Sequence, residues 1–136
     1  MKEIQFSTNG EKFYSITQEI QNELKGLAGD NDGILTIFCP HTSCAMCLNE
    51  NYDSSARKDM ENFLKHLAPR NLGFITHTAE GPDDSPSHMK SILLQSSIQL
   101  IVQGGELRIG TWQGLYLCEF RDAPHTRKLW LNFSKN

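Results

Sequence analysis

Two of the five histidines frame a polar stretch of the chain. His77 opens and His88 closes the segment His-Thr-Ala-Glu-Gly-Pro-Asp-Asp-Ser-Pro-Ser-His, with Glu80, Asp83 and Asp84 between them. Imidazole and carboxylate groups together suit a divalent metal such as zinc. They equally suit general acid–base catalysis, because histidine titrates near neutral pH. An acidic surface loop with helix-capping residues is the alternative for the same residue types.

A third histidine, His41, follows an apolar run in the sequence Pro40-His41-Thr42-Ser43. The end of a strand is where a rigid scaffold presents side chains to a ligand. His66 differs, because it lies in a helical pattern dense in lysine and glutamate and is expected at a solvated edge.

The pair Ser85-Pro86 is a helix-start signal, with a capping residue followed by proline at the first helical position. His88 and Lys90 are then expected in the first turns of a short helix. Unpaired N–H groups at such a helix end bind phosphate or carboxylate groups, and Lys90 would add a charge. A simple capped helix is the alternative.

Gly110 and Gly114 bracket Thr111, Trp112 and Gln113 between two expected strands. This arrangement is typical of a bend that faces a ligand. A tight β-corner with Trp112 packed inside is the alternative.

Two of the four cysteines spell the motif Cys44-Ala-Met-Cys47, and the other two are Cys39 and Cys118. The flanking residues favour a strand, in which positions three apart point to opposite faces. No second CxxC completes a zinc site. All four are therefore expected as reduced, buried, apolar side chains.

The elements that must position these residues alternate between strands and helices. Strands are expected at 2–8 and 12–16 around an Asn9-Gly10 hairpin turn, and later at 34–40, 43–48, 98–103, 106–109, 114–121 and 128–133. Two longer helices are expected, one capped by Thr17 and one beginning near Asp53, besides the short helix at His88. The order indicates an α+β fold with mainly antiparallel pairing.

Length and charge limit the classes of function. The 136 residues suit a single domain spanning 1–136, and the net charge of −3 gives no basic face for nucleic acid. The first residues resemble no secretory signal, and no apolar run approaches the roughly 20 residues needed to cross a bilayer. A cytoplasmic protein without membrane contact is expected.

The motifs together resemble those of the YjbQ family, also called secondary thiamine-phosphate-synthase-like proteins. The resemblance extends in order from about residue 5 to residue 133. It is carried by His41-Thr-Ser43, Asn49-Glu-Asn51, the segment from His77 to His88, Gly110-Thr-Trp-Gln-Gly114 and Leu117-Cys-Glu-Phe120.

The resemblance implies a β-sandwich-like α+β fold, a homotrimer, and a polar site that holds a metal or an anion. Its predicted metal ligands are His41, His77 and His88, with zinc or a similar divalent ion as the cofactor. The predicted catalytic residues are these three histidines with Glu80 and Asp84. The predicted ligand contacts are Thr42, Ser43, Lys90, Thr111, Trp112 and Gln113.

The implied activity joins a pyrimidine diphosphate to a thiazole phosphate, giving thiamine phosphate and pyrophosphate. The expected function is thus a metal-assisted transferase acting on a phosphorylated small molecule. The alternatives are a trimeric module that binds a metal or phosphate without turnover, and a purely structural protein.

Overall fold

The chain folds into eight strands and three helices, described over residues 1–136 by a computed structural model. The elements in chain order are β1 (Lys2–Asn9), β2 (Lys12–Ser15), α1 (Thr17–Ala28), β3 (Gly33–Phe38), β4 (Cys44–Glu50), α2 (Ser54–Leu67), α3 (Asp84–Leu93), β5 (Ser97–Gln103), β6 (Glu106–Leu107), β7 (Gln113–Glu119) and β8 (Pro124–Lys135). No helix has the length and apolar character needed to cross a membrane.

The strands form two antiparallel sheets. The larger has the order β1-β8-β3-β5-β6 and the smaller has the order β2-β7-β4. The expected α+β fold with mainly antiparallel pairing and one short helix is therefore confirmed.

Two apolar clusters hold the layers together, and strand periodicity explains both. In β7, Leu115 and Leu117 face the main core between the sheets, where they meet Ile20 and Leu24 of α1. Alternate residues point to opposite faces of a strand. Tyr116 and Cys118 therefore face the second cluster, which α2 covers through Leu64. The central strand of the smaller sheet is thus buried on both sides.

The prediction of a β-hairpin around Asn9-Gly10 is wrong. β1 pairs with β8 and β2 pairs with β7, so the chain passes from one sheet to the other at this turn. The turn itself is real, because Gly10 has a φ of 94°, which favours glycine. A local turn signal does not determine which strand becomes the partner.

Helix α1 begins where expected, but Thr17 does not cap it. Ile16 occupies the capping position, and the Thr17 hydroxyl accepts a hydrogen bond from the backbone N–H of Leu115. Helix α2 begins near Asp53 as expected, with Asp53 at the capping position. It fully buries only Leu64, and its apolar residues Phe63 and Leu67 are exposed.

Candidate metal site

His77, Asp84 and His88 converge on one carboxylate oxygen. Oδ2 of Asp84 lies 2.8 Å from Nε2 of His77 and 3.2 Å from Nε2 of His88. One potential ligand atom from each of the three side chains lies within 4.8 Å of the others. Asp84 is buried, whereas His77 and His88 reach the surface.

The local fold explains this convergence. Asp84 is the first residue of α3 and His88 lies one turn later, so both side chains lie on one helix face. The segment between His77 and Asp84 turns back at Gly81, whose φ of 104° favours glycine. This turn brings His77 into contact with Asp84, seven residues later in the sequence.

The start of α3 differs from the sequence-based expectation. The helix begins at Asp84 with Asp83 at the capping position, two residues before Pro86. The carboxylates of Asp83 and Asp84 therefore occupy the positive end of the helix. This helix end is therefore acidic, whereas the Ser85-Pro86 signal predicts an anion-binding helix start, and neither carboxylate forms a capping hydrogen bond.

Arg121 fixes both carboxylates from the end of β7. Its Nε donates to Asp83 at 2.9 Å, Nη1 donates to Asp84 Oδ1 at 2.8 Å, and Nη2 donates to the carbonyl of Glu80 at 3.0 Å. Because Arg121 holds Oδ1, Oδ2 of Asp84 is directed to the histidines. Burial raises the pKa of Asp84, but the hydrogen bond from His77 and the charges of His88 and Arg121 outweigh it and lower that pKa.

The backbone carbonyl of Thr42 fixes which nitrogen of a neutral His88 ring carries the hydrogen. Its carbonyl lies 2.8 Å from Nδ1, so Nδ1 must carry the hydrogen. In the neutral ring, Nε2 then presents a lone pair to Asp84 Oδ2. Two such acceptors at 3.2 Å require a proton or a cation between them.

The residues fit a bound divalent cation. Two imidazole nitrogens and one carboxylate oxygen form a donor set that proteins use for zinc and iron, with open positions left for water or substrate. Metal-binding histidines commonly donate their other ring N–H to a carbonyl, as His88 does to Thr42.

His41 lies beside this cluster and not within it. Its Nε2 accepts a hydrogen bond from the backbone N–H of Lys128 at 2.8 Å. Burial, and then the charge of Arg127, lower the pKa of His41. The three histidines predicted as metal ligands therefore do not converge; the side chains that do are His77, Asp84 and His88. His41 instead lines the groove next to His88.

This groove has a volume of about 640 Å³. Its lining combines imidazole, hydroxyl and aliphatic groups: His41, Thr42, His88, Ser91, Ile92, Leu94 and Ser96. The lining contains no lysine or arginine.

Two predicted ligand contacts and one predicted catalytic residue lie outside the cluster of His77, Asp84 and His88. Ser43 is buried, and its hydroxyl accepts a hydrogen bond from Arg127 at 2.8 Å. Lys90 is also buried, and its ammonium donates to Glu11 at 2.7 Å. The backbone of Glu80 contacts Arg121, but its exposed carboxylate is not part of the cluster.

The Thr111–Gln113 bend does not meet the histidines within one chain. It lies at the start of β7, whereas Arg121 follows the end of that strand. The seven residues of β7 extend over about 20 Å. Trp112 is exposed and packs edge-on against Tyr52, with 4.9 Å between ring centres.

Arg121 was not predicted from the sequence, and Thr42 was named without the role of its backbone carbonyl. Arg121 follows Glu119 and Phe120 at the end of an apolar strand, which is the same signal that identified His41. A backbone carbonyl leaves no signal in the sequence.

Comparison with known proteins gives consistent results. A family model described as "UPF0047 protein YjbQ-like" matches residues 2–136. The UPF0047 protein YjbQ of Escherichia coli is 40% identical over 128 residues, covering 94% of this chain and 92% of that protein. The UPF0047 protein YugU of Bacillus subtilis is 36% identical over 125 residues, covering 92% and 91%.

Solved structures show the same fold. A conserved hypothetical protein from Thermus thermophilus superposes with a TM-score of 0.88 at 31% identity, covering 98% of this chain and 100% of that one. An uncharacterized conserved protein of the YjbQ/UPF0047 family from Clostridium acetobutylicum gives 0.86 at 34% identity, with the same coverage. None of these names states a reaction or a ligand.

Proposed function

The chain belongs to the UPF0047 family of YjbQ-like proteins, and we propose that it is a metal-assisted enzyme acting on a phosphorylated small molecule. The observation that carries the proposal is the convergence of two imidazole nitrogens on the buried carboxylate of Asp84. A divalent cation, zinc or a similar ion, is the proposed occupant of this site.

The fixed orientation of the potential ligand atoms supports a metal ion at this site. Arg121 fixes one oxygen of Asp84 and the Thr42 carbonyl fixes the ring of His88. Outer contacts of this kind orient metal ligands and raise their affinity. A surface acidic loop would not need them.

The lining of the neighbouring groove is consistent with a phosphorylated ligand whose binding requires the metal ion. Thr42, Ser91 and Ser96 offer hydroxyl groups, but no cationic side chain lines the groove. A phosphate or pyrophosphate group carries two or more negative charges near neutral pH. In this acidic protein, a metal ion would supply the missing positive charge.

The reaction implied by the family resemblance is the formation of thiamine phosphate with release of pyrophosphate. When bound, a divalent ion would stabilise negative charge on the departing pyrophosphate. His77, Asp84 and His88 would hold the ion, and Arg121 would keep Asp84 ionised and in place. His41, whose pKa is lowered by burial, would be a neutral imidazole able to exchange a proton with the ligand in the groove.

The test is an assay for thiamine phosphate with purified protein, the pyrimidine diphosphate and the thiazole phosphate. Product is expected with added divalent ion, and its formation should stop with EDTA. The double variant His77→Ala, His88→Ala should lose activity, whereas His66→Ala, on the exposed face of α2, should retain it. Undiminished activity in the double variant would refute the assignment.

The alternative is a module that binds a metal and a phosphorylated compound without turnover. The exposure of His77, whose side chain is 57% accessible, favours it, because active sites usually exclude water. Saturable, metal-dependent binding with no product would support this alternative.

A further inference from the structure

Arg57, far from the metal ligands in sequence, carries an unsatisfied polar group. Its Nε is buried and has no hydrogen-bond partner in the protein. None of the ion pairs of the chain includes its guanidinium. A buried donor without a partner costs about 1–3 kcal/mol. Such a group in a folded protein requires an explanation.

The position of Arg57 in α2 adds a second anomaly. It is the fourth residue of a helix of 14 residues, and the first turn of this helix holds no acidic residue. A cation near a helix N-terminus opposes the helix dipole, which favours negative charge there. An anion in contact with the guanidinium of Arg57 would offset both its unpaired charge and the positive end of the helix.

A small cavity lies at this position, with a volume of about 130 Å³. Asn51, Tyr52, Asp53, Ser54, Arg57 and Tyr116 line it. The residues of the metal-site groove do not contribute to it.

Three acidic side chains near Arg57 in the sequence are already engaged by backbone groups. Asp53 accepts from the N–H of Ser55 at 2.9 Å, and Glu50 accepts from the N–H of Tyr52 at 2.8 Å. Glu61, one helical turn after Arg57, accepts from the N–H of Phe13 at 2.7 Å. None of the three forms an ion pair with Arg57.

We propose that this cavity is a second binding site, which takes a small oxyanion of the phosphate or carboxylate class. The guanidinium of Arg57 donates to the oxyanion. Tyr52 lines the cavity and packs against Trp112, so this aromatic pair offers an apolar surface to the group that carries the oxyanion. The site needs no metal, which separates it from the proposed site at His77, Asp84 and His88.

The test is a titration of the full chain by calorimetry in EDTA, with inorganic phosphate in one arm and acetate in the other. At least one of the two anions is expected to bind saturably. Arg57→Gln should weaken that binding by about tenfold or more, the loss expected for a charge-assisted hydrogen bond. Lys58→Gln is the matched control, because Lys58 is an exposed cation on the same helix, and should bind like the wild type.

The unfolding temperature of the variants, measured without anion, distinguishes a binding role of Arg57 from a structural role. Arg57→Gln should unfold at a temperature no lower than the wild type, because it removes an unsatisfied cation at a helix start. Arg57→Lys keeps the charge without the planar fork and should bind with intermediate affinity. Equal affinity in the wild type, Arg57→Gln and Arg57→Lys, or no binding of either anion, would overturn the proposal.

Discussion

At the scale of single residues, Asp84 determines the chemistry of the candidate metal site. It is buried, and its two oxygens are divided between Arg121 on one side and two histidines on the other. Replacing this carboxylate with the isosteric amide keeps the shape of the side chain and removes its charge.

Asp84→Asn is expected to weaken divalent-cation binding by more than about 100-fold, because loss of an outer partner alone costs about 10- to 100-fold. Calorimetric titration with zinc measures this affinity. Asp53→Asn, which alters an exposed capping carboxylate, is the control. Unchanged zinc affinity in Asp84→Asn would show that Asp84 is not a ligand.

The sequence indicates most of the chemical groups at this scale but not their division of roles. The polar segment indicates His77, Asp84 and His88 as chemical groups, and the family resemblance predicts the two histidines as metal ligands but Asp84 only as a catalytic residue. His41 is not part of the cluster, and its Nε2 instead accepts a hydrogen bond from the backbone of Lys128. That contact joins residues far apart in the chain and cannot be read from local patterns.

At the scale of elements, the end of β7 supports the site. Glu119 is fully buried and accepts from the guanidinium of Arg127 at 2.6 Å and from the hydroxyl of Thr8 at 2.7 Å. It also accepts from the backbone N–H of Arg121 at 3.0 Å. The strand end is thus held in place two residues before the side chain that orients Asp84.

Arg121→Gln is expected to lower zinc affinity by about 10- to 100-fold, because Asp84 loses the partner that directs its free oxygen. Arg108→Gln is the matched control, since Arg108 is exposed and takes no part in the ion pairs with Asp83 and Asp84. Equal zinc affinity in both variants would contradict a positioning role for Arg121.

The Glu119–Arg127 pair predicts a dependence of stability on pH. Burial raises the pKa of Glu119, but the hydrogen bonds from Arg127 and Thr8 outweigh it, so this pKa lies below the ordinary value. A lowered pKa adds stability that is present above the unfolded-state value of about 4.3. It is lost as the pH falls through the folded-state value.

Glu119→Gln is therefore expected to lower the free energy of unfolding by about 3 kcal/mol near pH 7, because it leaves Arg127 buried without its partner charge. The difference from wild type should shrink below about pH 4. Urea unfolding of both proteins near pH 7 and below about pH 4 measures this difference in the free energy of unfolding. A difference that does not change with pH would contradict the assigned pKa shift.

Element types were more predictable than element partners. The alternation in β5 and the buried stripe of α1 follow from side-chain periodicity. The partner of β1 does not, because β8 lies at the other end of the sequence. Similarly, Phe63 and Leu67 fit an apolar helix face, yet they are exposed in the chain.

At the scale of the whole molecule, the surface retains apolar side chains that one chain does not cover. Ile92, Ile101 and Phe74 are 81%, 63% and 70% exposed. Exposed apolar surface often marks an interface. The homotrimer implied by the family resemblance remains a prediction for this chain.

Native mass measurement at micromolar concentration is expected to give a species of three chains. Association would bury part of this apolar surface and could bring the Thr111–Gln113 bend of one chain towards the histidines of another. A species with the 15.4 kDa mass of one chain at all concentrations would contradict the trimer.

The central claim, a divalent cation held by His77, Asp84 and His88, is tested most directly by metal content and titration. Protein purified with metal and then dialysed is expected to hold one zinc or similar ion per chain. The His77→Ala, His88→Ala double variant should hold none, and the His66→Ala, His125→Ala double variant should bind like the wild type. Equal metal content in the two double variants would contradict the account.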